Sequence, residues 1–171
     1  KLLRLARKEI KAVRLLRKLA RHKLAVAVFR KLSAKLLCKP VRLLMDGKQR
    51  IYRMLLDGLG SSETGVAVLE MNFIDDDNMG LDGNVGILQF FVTFDCEIDR
   101  DKLSGLLDAL NKINLATTFG AFAVYTDECQ LYYRYTQLIR ADGEDIPDEV
   151  MRVLNWIMAL TDRSYDNIME L

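Results

Sequence analysis

A chain of 171 residues, half of them hydrophobic, has room for one domain with a true core plus an appendage, and is too apolar to be disordered. The net charge of +1 conceals a split: residues 1–53 hold 18 Lys/Arg against two acids, or +16, and residues 54–171 hold 7 against 22, or −15. No apolar run approaches the roughly 20 residues that cross a bilayer, the charges are too widely spread for a signal peptide, and Cys38, Cys96 and Cys129 form no C-x-x-C pair, so reduced structural thiols and a cytoplasmic location are expected.

Residues 1–38 read as helix throughout, rich in Lys, Arg, Leu and Ala and free of Gly and Pro. An apolar stripe runs Leu2, Ala6, Ile10, Val13, Leu16, Ala20, Leu24 and Ala27, with Arg4, Lys8, Lys11, Arg14, Lys18 and Arg21 over much of the remaining surface. The spacing is not a sustained heptad, which argues against a long coiled coil. The chain opens at Lys1 without a methionine, so further sequence is expected before it. Pro40 breaks the helix, and a second helix is predicted over about 41–57, ended by the loop composition of Asp57-Gly58-Leu59-Gly60-Ser61-Ser62.

From there the period changes to two. Ala67, Leu69, Met71 and Phe73 share one face of a strand over 66–75, and Leu88, Phe90, Val92, Phe94 and Cys96 share one over 85–96. The turn formers of 75–84 join them as a hairpin. Asp99 suits a helix N-cap, followed by an apolar face of Leu103, Leu106, Leu107, Leu110 and Ile113 up to Asn114, which is expected to cap the helix C-terminus. Strands over about 118–126 and 129–139 reverse at Thr126-Asp127-Glu128, with Leu131, Tyr133 and Tyr135 on one face. A last helix starts at Ile146-Pro147-Asp148-Glu149, where proline and acids suit the first turn. Val150, Val153, Leu154, Ile157, Met158, Thr161, Tyr165 and Ile168 lie on one side of it.

The phrases Leu110-Asn111-Lys112-Ile113-Asn114 and Phe119-Gly120-Ala121-Phe122, the reversal at Asp127-Glu128 and the Ile146-Pro147-Asp148-Glu149 helix start resemble the YbjN-like bacterial family over roughly residues 48–171. The resemblance implies the fold of the type III secretion chaperones and a small cytoplasmic binding or regulatory protein, often dimeric. It carries over no catalytic residues.

Little along the chain points to catalytic or ligand chemistry. The single histidine, His22, lies in the basic helix, which excludes a His-based metal cluster and disfavours a Ser–His or Cys–His system. No phosphate loop is present, and Gly58-Leu59-Gly60 lacks the third glycine of a dinucleotide fingerprint. Counting Asp75 as position 1 of a calcium loop puts Met79 at position 5 and Gly86 at position 12, where a bidentate Glu is required. No cofactor and no metal are expected. Tyr132, Tyr133 and Tyr135 with Arg134 read either as an interaction surface or, preferably, as core and cross-strand packing.

The expected fold is therefore α+β: a small antiparallel sheet of four or five strands flanked by helices, with a basic helical N-terminal extension. Residues 1–45 form the extension and 46–171 the binding domain. The expected role is a non-enzymatic, chaperone-like or regulatory adaptor that binds a protein segment. The residues singled out for partner binding are Arg4, Ile10, Lys11, Val13, Arg14, Leu16 and Lys18. Their partner would be protein, either this chain's own acidic domain or a second copy in a homodimer. The alternative is a regulator that meets anionic membrane or nucleic acid through the same basic helix, although the segment offers only Phe29 for base stacking.

Overall fold

The computed structural model describes residues 42–46, 49–74, 85–140 and 146–171, with side chains from residue 51 onward apart from Pro147. Six strands form one antiparallel sheet: β1 (Arg42–Asp46), β2 (Gln49–Leu59), β3 (Gly65–Ile74), β4 (Val85–Phe94), β5 (Ala121–Tyr125) and β6 (Gln130–Arg140). Their spatial order is β1-β2-β3-β4-β6-β5. A 3₁₀ turn at Arg100–Lys102 leads into helix α1 (Leu103–Ala116), and helix α2 (Ile146–Met169) closes the chain. The α+β class and the hairpin of β3 with β4 are as the alternation predicts. Strands β2 to β6 supply five of the strands, and β1 pairs outside β2 as a sixth.

One expected element is replaced. The helix predicted over about 41–57 is instead the hairpin of β1 and β2, with Asp46 opposite Gln49. Leu, Met and Arg favour helix by propensity, but Tyr52, Met54 and Leu56 alternate with Arg53, Leu55 and Asp57 at period two, and burying that alternation against β3 outweighs propensity. Asp46-Gly47 between two apolar runs is also a hairpin signal. Residues 42–45, assigned above to the extension, thus lie in β1. The basic helix and its stripe, and the calcium-loop test at 75–84, fall outside the described residues.

The core sits on one face of the sheet. Tyr52, Met54 and Leu56 of β2, Ala67, Leu69 and Met71 of β3, and Leu88, Phe90, Val92 and Phe94 of β4 are buried there with Phe122 and Val124 of β5 and Leu131 and Tyr133 of β6. Leu106 and Leu110 of α1 and Val150, Leu154, Ile157, Leu160 and Ile168 of α2 belong to the same cluster, so both helices cover the same face. Each fully buried Leu, Ile or Phe there contributes about 2 kcal/mol. Of the α1 face read from sequence, Leu103, Leu107 and Ile113 pack at its margin, half-buried.

Polar contacts hold the pieces in register. Asp99 accepts the Asp101 amide at 3.0 Å and so caps the 3₁₀ turn that precedes α1. Asp162 and Asp166 of α2 accept the backbone amides of Gly60 and Ser61 at 2.9 and 2.8 Å, tying the β2–β3 turn to the last helix. Gly60 adopts φ +76°, and a Cβ there would run into Tyr165 and Asp166, so the close approach needs glycine. The amide of Ser61 holds the Asp166 carboxyl below the usual range.

Asn114 does not act as the expected C-cap. Helix α1 continues to Ala116, and Thr117 follows in extended conformation. The Asn114 side chain instead donates to the Phe122 carbonyl and accepts the Phe122 amide, both at 2.8 Å. It behaves as a one-residue strand against the outer edge of β5. Nearby, the Tyr133 hydroxyl donates to the Phe119 carbonyl at 2.8 Å, and burial pushes that phenol well above its usual range.

Candidate functional site

Strands β2 to β6 place apolar residues on both faces, and no described helix packs on the second one. Its rows follow from the register. Leu55 lies beside Val68, Val68 beside Thr93, Thr93 beside Tyr132, and Tyr132 beside Ala123. The neighbouring row runs Arg53, Glu70, Phe91, Arg134 and Ala121. An apolar belt of Leu55, Val68, Phe91, Tyr132 and Tyr125 therefore crosses the sheet perpendicular to its strands.

Aromatic stacking organises one half of that belt. Phe91 of β4 and Tyr132 of β6 stack with centroids 4.8 Å apart, and Tyr132 and Tyr125 of β5 stack at 4.4 Å. These offset pairs fix ring planes beyond what area burial alone would do. Leu55 and Tyr125 at the two ends are 52% and 47% exposed, too open for core residues of their size. Leu138, 58% exposed, lies further along β6 on the same face.

Charge frames the belt. Arg53 and Glu70 form an ion pair between β2 and β3 in the adjoining row, and Arg134 is exposed in that row on β6. At the other margin, Asp57 pairs in register with Val66, whose carbonyl accepts the Asp95 amide at 3.0 Å, so two acids flank that end. The acidic segments 75–84, with four Asp, and 141–145, with three acids, leave from neighbouring strand ends, because Ile74 sits opposite Ile87 and Val85 opposite Arg140.

The tyrosine cluster of β6 divides between the two faces. Tyr133 and Tyr135 turn to the core, where Tyr135 meets Trp156 at 6.4 Å, while Tyr132 and Arg134 face the open side. Packing and surface readings each hold for half of the run. The stronger signal lay in β3 and β4. Val66 and Val68 interleave with Ala67 and Leu69, and Phe91 follows Phe90, so strands apolar on both parities announce a sheet with two apolar faces. Leu55 was hidden by the helical reading of β2. The seven residues singled out in the basic helix, from Arg4 to Lys18, lie outside the described residues.

Other features offer less chemistry. Among the described residues no group of three or more His, Cys, Asp or Glu is placed to hold a metal ion. A recess of about 160 Å³ is lined by Cys96, Glu97, Asp99, Lys102, Ile168 and Met169, below the few hundred Å³ usual for a small-molecule site. Burial, with Asp95 alongside, pushes the Cys96 thiol up, which makes it a poor nucleophile at neutral pH. Phe119, 52% exposed, is held edge-on against Trp156 at 5.4 Å and Tyr135 at 6.1 Å, which accounts for it as packing. Among the described residues no helix is long and apolar enough to cross a membrane.

The described residues thus form an α+β domain whose antiparallel sheet is covered by helices on one face and carries an apolar belt on the other. The family model for YbjN, a putative bacterial sensory transduction regulator, matches residues 81–170. The chain belongs to that family, and the match takes in β4, α1, β5, β6 and α2. No curated protein matches it.

Proposed function

We propose that this domain is a non-enzymatic regulatory adaptor that holds an amphipathic, basic-flanked helical segment of protein against the open face of its sheet. The carrying observation is the belt of Leu55, Val68, Phe91, Tyr132 and Tyr125 on a face that no described helix covers. The family's description as a regulator of sensory transduction supports a role in binding rather than turnover. The −15 of residues 54–171 selects a basic partner. Two modes of segment capture suit sheets, addition of a strand to an edge and docking of an amphipathic helix. Strand addition at β5 is opposed, because Asn114 already takes both backbone groups of Phe122 on that edge. Helix docking fits a belt that runs across the strands. Exposed charge pairs contribute only about 0–1 kcal/mol each, so the belt supplies the affinity and the charges orient the partner.

The test is a titration of the full chain with a fluorescein-labelled 18-residue amphipathic Leu/Lys peptide, read by anisotropy. Saturable binding is expected, weakened about tenfold or more by Val68→Asp or Tyr132→Asp, since each places a charge in an apolar contact. Binding unchanged in both variants, with their melting transitions intact, overturns the reading.

A further inference from the structure

The structure points to a specific occupant: we propose that the open face is covered by this chain's own residues 1–38, seated as an amphipathic helix across Leu55, Val68, Phe91 and Tyr132. The domain is then self-capped until a competing segment displaces its own. This rests on the reading of the open face as a helix-binding surface.

Position supports it first. Strand β1 begins at Arg42 on the outer edge of the sheet, in register with Arg53 and hence with the row that continues through Glu70 and Phe91 to Arg134. The chain thus enters the sheet beside the belt, with only three residues between position 38 and Arg42. Pro40 within that link would end a helix preceding it and so allow a change of direction.

Dimensions agree as well. The stripe from Leu2 to Ala27 spans 26 residues, about 39 Å as a helix at 1.5 Å per residue. Crossing from β1 to β5 takes five interstrand steps of about 4.8 Å, or about 24 Å. One helix can therefore shield the whole belt. A sheet with two apolar faces is normally covered on both, and the described helices cover one.

The chemistry is complementary. The stripe offers Ile10, Val13 and Leu16 to the belt, while Arg4, Lys11, Arg14 and Lys18 border it on a segment of opposite sign to the acidic domain. Asp57 and Asp95 flank one margin of the belt, and the acidic segments 75–84 and 141–145 leave the other end of the sheet. Tethering favours the chain's own segment, because a short linker gives an effective concentration on the order of millimolar.

Two measurements on the full chain decide the matter. In the first, Cys38, Cys96 and Cys129 are replaced by Ser and cysteine pairs are introduced for linking by a short bis-maleimide. Val13→Cys with Val68→Cys, or with Thr93→Cys should the first pair perturb folding, is expected to link within one chain. Val13→Cys with Asn155→Cys, exposed on α2 across the sheet, should stay unlinked. Linking to Asn155, to neither face, or only between two chains overturns the proposal, the last naming a second copy as occupant. In the second, the full-chain variant Ile10→Ser/Val13→Ser/Leu16→Ser should bind the Leu/Lys peptide about tenfold more tightly than wild type, as expected if nine chains in ten are self-covered. Equal affinity overturns self-capping and leaves the binding face standing. Internal linking to Val68 with no peptide bound by either form removes the binding function and keeps the cover.

Discussion

Single residues carry the tightest constraints around the β5–β6 hairpin. Tyr133 is buried in the core, its hydroxyl donates to the Phe119 carbonyl, and Gly120 sits beside it at φ +69°, where a Cβ would collide with that hydroxyl. Burial disfavours the phenolate, so the folded-state pKa lies above the unfolded value of about 10. The folded form therefore keeps a proton that the unfolded chain releases as pH rises past about 10. Stability from this group is complete below that pH and falls above it by up to about 1.4 kcal/mol per pH unit. Denaturant unfolding between pH 8 and pH 11 should show this loss in wild type and a shallower slope in Tyr133→Phe. At pH 7 that variant should be less stable by about 1 kcal/mol for the missing hydrogen bond. Equal slopes in the two proteins would show that Tyr133 ionises as freely folded as unfolded.

Elements meet through a few side chains that imitate backbone. Asn114 gives helix α1 a hydrogen-bonding partner in β5, satisfying both polar groups of Phe122 on an edge that would otherwise invite another strand. Asn114→Ala should cost about 2 kcal/mol, from two lost hydrogen bonds and the orphaned Phe122 groups. It should also increase concentration-dependent association through the uncovered edge, read by light scattering. Asn114→Asp should keep the bond from the Phe122 amide and lose only the one to its carbonyl, so its loss should be smaller. A substitution without effect on either readout would mean water replaces the amide fully. At the opposite end, Asp162 and Asp166 do the same for the β2–β3 turn.

At the scale of the molecule, the sheet rather than the sign of the charge sets where an independent domain begins. A fragment starting at residue 54 would cut β2 (Gln49–Leu59) in two and remove Tyr52 from the core. A fragment of residues 42–171 keeps both β1 and β2. Thermal melts should show a cooperative transition for 42–171 and a lower or broadened one for 54–171, because losing a buried tyrosine and half a strand removes several kcal/mol. Identical midpoints would mean that β1 and the start of β2 add nothing to stability. If residues 1–38 cover the belt as proposed, removing them uncovers Leu55, Phe91 and Tyr132, so 42–171 should bind a hydrophobic dye more strongly than the full chain does; equal dye binding would count against that cover.

What the sequence determined by itself was local. Period-two runs at Ala67–Phe73 and Leu88–Phe94 and the face of Val150, Leu154 and Ile157 named strands, helix and core, because alternation and helical spacing are written into each segment regardless of its neighbours. The family was equally legible in short phrases of α1, β5 and the start of α2. Tertiary structure decided what depends on neighbours. Residues 42–46 and 49–57 are strand because β1 pairs with β2 and β2 with β3, against their own helical propensity. Asn114 bonds Phe122 because a helix end and a strand edge come together in space. The belt exists only once β2, β3, β4, β6 and β5 lie side by side, since residues from Leu55 to Tyr132 become a single surface through register.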